Sequence, residues 1–183
     1  MSDVSLHATL RFLADDVRDY LEIGCREGDS LREVVLHAPA LKRVVVCDLW
    51  GSDFGGTGRG SHDHIDRLLN ELGFAGERVF LDGDSRETVP TIRGTPGLRR
   101  FDLVLVDGDH SDEGARADLA NAWPLVQGRG TLLFHDICHP AHPGLRRLFT
   151  EFVSSVGDCQ DAHEILDGHG VGVARKRGPW IQR

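Results

Sequence analysis

FDLVLVDGDH, residues 101–110, is the stretch whose reading decides the fold. Residues 103–106 are apolar without a break, which is the pattern of a parallel strand covered by helices on both faces, where polarity does not alternate. The run stops abruptly at two carboxylates and an imidazole, Asp107, Asp109 and His110. In an open α/β sheet the carboxyl ends of the strands form the rim where ligands bind, so these side chains are expected in a crevice.

Working outward, the same unit recurs. YLEIG (20–24) reads as a short strand running into a glycine turn, followed by a helix capped by Asp29 or Ser30 and reaching about His37. KRVVVCD (42–48) is a second strand ending in an acid, residues 78–81 a third, and DGDS (82–85) opens a brief helix before Pro90. Residues 3–18, with Val4, Leu6, Leu10, Leu13, Ala14 and Val17 at helical spacing, predict an amphipathic helix leading into the sheet, with no large substrate-recognition domain ahead of it. Residues 61–72 return to helical periodicity before Gly73.

On the other side, residues 111–126 predict a helix with Ala115, Leu119, Ala122, Trp123 and Val126 on one side. Gly128, Arg129 and Gly130 are expected to break the chain before a strand at 131–134 that ends in His135 and Asp136. A helix over 145–156 and a hairpin around 167–170 complete the chain. The alternation predicts an α/β fold: a single-domain, doubly wound Rossmann-like sheet, mostly parallel, with an antiparallel strand from the C-terminal hairpin at or near one edge. The expected division is an N-terminal helix (1–19), the Rossmann-like domain (20–177) and a tail (178–183).

Composition narrows the function. A chain of 183 residues with net charge −8 suits one soluble domain and disfavours general nucleic-acid binding, which needs a basic surface to neutralise phosphates. No apolar stretch approaches the roughly 20 residues of a membrane span, and the N-terminal residues lack the apolar core of a secretory signal, so a cytoplasmic protein is expected. Cys25, Cys47, Cys138 and Cys159 form no CxxC pair, and reduced thiols are expected. Histidines are numerous in the second half, His110, His135, His139, His142 and His169 among them, which fits either an acid–base or metal site or a histidine-rich surface.

The turn after the first strand, E-I-G-C-R-E-G, has Gly24 and Gly28 with three residues between them. A dinucleotide turn wants a second glycine where Arg26 stands, so this turn suits a cofactor with no pyrophosphate at that point. Asp48, at the end of the next strand, is placed to accept hydrogen bonds from ribose hydroxyls. The ordered set of turn, acid and GDS resembles the class I S-adenosylmethionine-dependent methyltransferases. That resemblance implies that Glu22, Gly24 and Gly28 line the methionine side of S-adenosylmethionine, Asp48 holds the ribose, and Asp84 with Ser85 meets the adenine edge; Asp107 borders the same pocket.

The stretch from V-D-G-D-H to F-H-D (residues 106–136) looks like the macrocin O-methyltransferase type of small-molecule methyltransferase and the related family named after cephalosporin hydroxylase. The resemblance implies a divalent ion, Mg2+ or Mn2+, held by Asp107 and Asp136. His135 stands where an acidic ligand occurs in several relatives, and as a ligand it would favour a softer ion such as manganese or iron. His110 is then the expected general base, since a neutral imidazole can take a hydroxyl proton near pH 7, and Asp109 is the competing base.

Plainer roles compete with each of these. Asp107 could cap the following helix and Asp136 a turn, while His139 and His142, flanked by prolines, read as solvated and Asp118 as a helix-surface acid or a support behind the site. The glycine-rich loop of residues 50–60 reads as a surface connection or a flap over the ligand, with Trp50 and Phe54 stacking on a ring or packing the loop's base. The expected substrate is a small-molecule hydroxyl, and a homo-oligomer that covers the site with a neighbour's surface stays open. Two further functions also stay open: a nicotinamide-dependent oxidoreductase, disfavoured by Arg26, and a non-catalytic cofactor-binding module.

Overall fold

The computed structural model describes residues 4–51, 60–98 and 100–178. In chain order the elements are α1 (Val4–Leu13), β1 (Asp19–Ile23), α2 (Asp29–His37), β2 (Arg43–Asp48), α3 (His62–Glu71), β3 (Glu77–Asp82), α4 (Ser85–Thr88), β4 (Phe101–Val106), α5 (Asp112–Ala122), β5 (Val126–His135), α6 (Leu145–Ser155), β6 (Cys159–Ile165) and β7 (Val171–Lys176). The seven strands form one sheet in the order β3-β2-β1-β4-β5-β7-β6. Only β7 runs against its neighbours β5 and β6. The expected Rossmann-like sheet with a C-terminal antiparallel hairpin is the observed fold.

Two apolar layers explain the unbroken hydrophobic runs. Tyr20, Val44, Val46, Leu103, Leu105 and Leu133 pack with Leu10, Leu31, Val34 and Ile65 from the α1, α2 and α3 side. Their neighbours Leu21, Val45, Val104, Val106, Leu132 and Phe134 pack with Ala115, Leu119, Leu145 and Phe149 from α5 and α6. Successive strand residues point to opposite faces, and here both faces are covered, so both must be apolar.

Three expected boundaries shift. The first helix stops at Leu13 instead of continuing to residue 18. The helix after His110 ends at Ala122 and passes into a 3-10 turn, Trp123–Leu125, because Pro124 has no N–H to continue the ladder. The Gly128–Gly130 segment does not interrupt β5; the strand runs through it, with a register shift against β4 between Phe101 and Leu103 and with Arg129 at φ 73°. All four cysteines are free, and no helix among the described residues is long and apolar enough to cross a membrane.

Sheet register sets the rim. Ile23 pairs with Cys47 on one side and Val106 on the other, Asp48 pairs with Asp82, and Val106 pairs with Phe134. The next residues, Gly24, Asp107 and His135, therefore emerge side by side. Strand order reverses between β1 and β4, and there Gly24, at φ 84°, leaves no room for a side chain: a Cβ would lie 2.0 Å from the Asp107 carbonyl oxygen. Gly24→Ala is accordingly expected to cost on the order of 2–5 kcal/mol from left-handed strain plus the backbone clash. Urea denaturation checks this, and a stability within about 0.5 kcal/mol of the parent would contradict the close approach.

Candidate active site

The turn after β1 is held from below by Asp48. Its Oδ2 accepts the N–H groups of Cys25 and Arg26, both at 2.8 Å, and its Oδ1 accepts Trp50 N–H at 2.7 Å. A carboxylate has about four acceptor sites, so one remains for a ligand hydroxyl. Gly28, at φ 83°, precedes α2 and faces the fold: a Cβ there would meet Leu68 and Ile65 of α3 at 2.6 and 2.9 Å. Its role is close packing of turn against helix. The indole N–H of Trp50 donates to Asp82 at 2.7 Å, so Trp50 packs the base of the glycine-rich loop. Residues 52–59 of that loop, Phe54 included, lie outside the described residues, and the flap reading with them.

Glu22 is fully buried beneath this turn. Ser30 Oγ donates to Glu22 Oε1, while Glu22 Oε2 and the Tyr20 hydroxyl are buried without a hydrogen-bond partner among the described residues. Burial outweighs the help from Ser30 and pushes the Glu22 carboxyl up to about 8.

On the next strand end, Asp84 caps α4 through Arg86 N–H at 2.8 Å and pairs with the Arg86 guanidinium at 2.6 Å. Ser85 Oγ donates to Asp118 Oδ1 at 2.5 Å. Asp118 is fully buried, which overturns its reading as a helix-surface acid, and burial raises its carboxyl to about 6. It sits three residues after Ala115 and four before Ala122, on the buried side of α5; that spacing was the available signal. Its other oxygen accepts Asp109 N–H at 3.4 Å, linking the β3 and β4 strand ends.

Beyond β4 the capping roles separate from the chemical ones. Ser111, not Asp107, caps α5 by accepting Gly114 N–H, and Asp109 accepts Ser111 N–H at 2.8 Å with its carboxylate against Gly114. Asp107 faces histidines instead: His135 Nδ1 lies 3.1 Å and His110 Nε2 3.4 Å from its Oδ1. Burial alone would raise the Asp107 carboxyl, but His135 and His110 overcome this and hold it at about 2. For His110, burial favours the neutral ring, yet Asp107 and Asp136, the latter 3.3 Å away, raise its pKa above the ordinary imidazole value. Donor atoms of Asp107, His110 and Asp136 lie within 4.8 Å of one another, a grouping able to hold a metal ion.

Asp136 takes the left-handed conformation at φ 61°, uncommon for a non-glycine residue and typical of functional corners. His139 and His142 are half-buried and stand outside the close donor group of Asp107, His110 and Asp136. Their rings stand 5.1 Å apart, His142 lies 4.8 Å from the His110 ring, and His139 lies 4.4 Å from the His169 ring. Burial, with His110 and His139 nearby, lowers the His142 pKa. His169 reaches Asp136 Oδ1 with its Nδ1 at 3.2 Å. No local pattern announced that residue, because the hairpin's register alone brings it to the rim.

The two halves, Gly24 turn and Asp107 cluster, thus meet at the point where strand order reverses. A family described as a methyltransferase domain matches residues 21–137, more than half of the chain, from the Gly24 turn through Asp107, His110 and Asp136. The chain belongs to this methyltransferase-domain family. No curated protein matches the chain by sequence. Among solved structures it is similar to an O-methyltransferase from Bacillus cereus in complex with SAH (17% identity, 97% of this chain and 83% of that one, TM-score 0.75). It is also similar to the O-methyltransferase TomG from Streptomyces achromogenes, involved in tomaymycin synthesis and solved with SAM (24%, 95% and 78%, TM-score 0.68). A third, the TDP-rhamnose 3'-O-methyltransferase CalS11 of calicheamicin biosynthesis, gives 20% identity, 94% and 77% coverage and TM-score 0.70. These likenesses establish the methyltransferase fold.

The buried Glu22 gives this methyltransferase domain a distinctive pH response. A carboxyl whose folded pKa lies above its unfolded value of about 4.5 makes the folded state bind more protons, so stability falls as pH rises from about 4.5 to about 8. By linkage the loss is on the order of 5 kcal/mol across that window. Glu22→Gln is expected to lack this component. Denaturant titrations of both proteins at pH 5.5 and 8.5 check it, and equal pH slopes would show that Glu22 ionises freely in the fold.

Proposed function

We propose that this protein transfers a methyl group from S-adenosylmethionine to a hydroxyl of a small molecule, with His110 as the base and a divalent ion held by Asp107, Asp136 and His135. The observation that carries the reading is the joining of Asp107, His110 and Asp136 next to the Gly24 turn at the sheet's switch point, the crevice where this fold class places its ligands. Membership of a methyltransferase family leaves the nicotinamide alternative without support.

In this reading Glu22, Gly24 and Gly28 build the methionine side of the pocket, Glu22 as a buried carboxyl and the glycines by letting the turn close. Asp48 orients the turn and offers its remaining acceptor site to the ribose. Asp84 and Ser85 shape the adenine side through the start of α4 and the bond to Asp118. The close donor group is Asp107, Asp136 and the His110 imidazole; with His110 kept as the base, His135, whose Nδ1 lies 3.1 Å from Asp107 Oδ1 and 3.5 Å from Asp136 Oδ1, supplies the imidazole of the ligand set, and two carboxylates with one imidazole fit a divalent cation. Such an ion, when bound, would lower the pKa of a substrate hydroxyl.

Methyl transfer from a sulfonium is an in-line displacement, so holding the nucleophile and methyl in line supplies most of the rate. As the oxygen–methyl bond forms and the carbon–sulfur bond breaks, the hydroxyl proton passes to His110. Asp109, bonded to Ser111 N–H, is committed to the α5 entry, which favours His110 over it as the base. The TDP-rhamnose 3'-O-methyltransferase and the O-methyltransferase of tomaymycin synthesis among the structural neighbours support a hydroxylated small molecule as the substrate class.

Calorimetry with S-adenosylhomocysteine should show binding that Asp48→Ala weakens tenfold or more. His110→Ala should leave that binding within about threefold while lowering kcat by roughly 10²–10⁴ on an accepted hydroxyl substrate. Absence of cofactor binding would overturn the methyltransferase reading, and unchanged turnover in His110→Ala would overturn the base.

A further inference from the structure

Asp136 Oδ1 is the least ordinary atom on the rim. It is buried and has no hydrogen-bond partner among the described residues, although His169 Nδ1 lies 3.2 Å and His135 Nδ1 3.5 Å away. Its partner oxygen has His110 Nε2 at 3.3 Å, and Asp107 Oδ1 has His135 Nδ1 at 3.1 Å. Bonds of about 2.1 Å to a shared ion separate neighbouring ligand atoms by about 3.0 Å in an octahedron and about 3.4 Å in a tetrahedron. Among the proposed ligands the separations of 3.1 and 3.2 Å fall in that range and the 3.5 Å one lies just beyond it, as expected where lone pairs face a common point.

His169 is held in place for such a role by backbone contacts. Its carbonyl accepts Cys138 N–H at 2.6 Å, and Gly170, at φ 79°, lies so close to Cys138 that a Cβ would meet its sulfur at 2.7 Å. Gly170 N–H also closes the turn onto the Asp167 carbonyl. The hairpin tip is therefore latched to the segment that carries Asp136, and the imidazole is positioned before any ion arrives.

We propose that His169 is a ligand to the cation held by Asp107, Asp136 and His135, and that this imidazole-rich set takes a first-row transition ion (manganese, iron, cobalt or zinc) in preference to magnesium. The inference rests on the divalent-ion reading above and goes beyond it by adding a ligand from the far end of the chain and by choosing the ion. Magnesium takes oxygen donors and gives up its water reluctantly, whereas neutral imidazole suits the transition ions.

The test uses Co2+ as the probe on the full chain. Each coordinated histidine contributes one exchangeable ring N–H resonance shifted far outside the ordinary proton spectrum, so NMR counts the imidazoles directly. The expected count is two or more for the parent and one fewer for His169→Ala, with Co2+ affinity down tenfold or more and Mg2+ affinity within about twofold. His163→Ala, an exposed histidine on β6, should leave the count unchanged. S-adenosylhomocysteine binding within about threefold of the parent shows that the His169→Ala fold is intact. An undiminished count in His169→Ala, or displacement of Co2+ by an equal concentration of Mg2+, would overturn this inference and leave the divalent-ion reading standing, whereas no shifted ring N–H at all would overturn this inference and remove His135 from the ligand set of that reading as well. If calorimetry detects neither ion at millimolar concentration, the divalent-ion reading itself fails, and this inference with it.

Discussion

The approach of β1 to β4 at their carboxyl ends is the constraint on which the rest of the site depends. Asp107 N–H donates to the Ile23 carbonyl at 2.8 Å, and the Asp107 carbonyl then fills the space where any residue other than glycine at position 24 would carry its side chain. One residue without a Cβ thus brings the turn after β1 and the acid–histidine cluster into contact. The same reversal of strand order opens the crevice above them, because the chain leaves the sheet in opposite directions on either side of this pair.

The acids on the rim are kept in different states by their surroundings. Glu22 and Asp118 are buried facing only neutral donors, so desolvation dominates and their carboxyls are raised to about 8 and about 6. Asp107 is held at about 2 because two imidazoles face it. Three carboxylates on adjoining elements are therefore tuned apart, one stabilised as an anion for a cationic partner and two favouring the proton. Such separation of environments is the arrangement that the proposed acid–base chemistry would use, since burial without a charged partner is costly.

Much of this was legible before any coordinates. The strand at residues 101–106, the glycine turn at 24, the acids closing β2 and β4 and the His135–Asp136 pair all follow from apolar runs that end in polar residues, and the structure brings them to one rim. Asp118 was within reach, since its spacing from Ala115 and Ala122 puts it on the buried side of α5, but a single acid on an otherwise ordinary helix carries no sign of what it will touch. The continuation of β5 through Gly128–Gly130 was not legible, because glycines in a turn and glycines at a bulge look alike until a partner strand supplies the register.

By itself the sequence determined the α/β class, the order of strands and helices, and the residue types at each strand end, since these depend on local periodicity and on which positions must be apolar when both sheet faces are covered. Only the tertiary structure decided which of those ends adjoin. Pairing of β4 with β1 and β5 sets Asp107 between Gly24 and His135, and the antiparallel β7, starting opposite His135, returns its hairpin to the same rim. His169 enters the cluster for that reason: an antiparallel strand begins where its parallel neighbours end, and a register that spans the sheet is not written in any local stretch of chain.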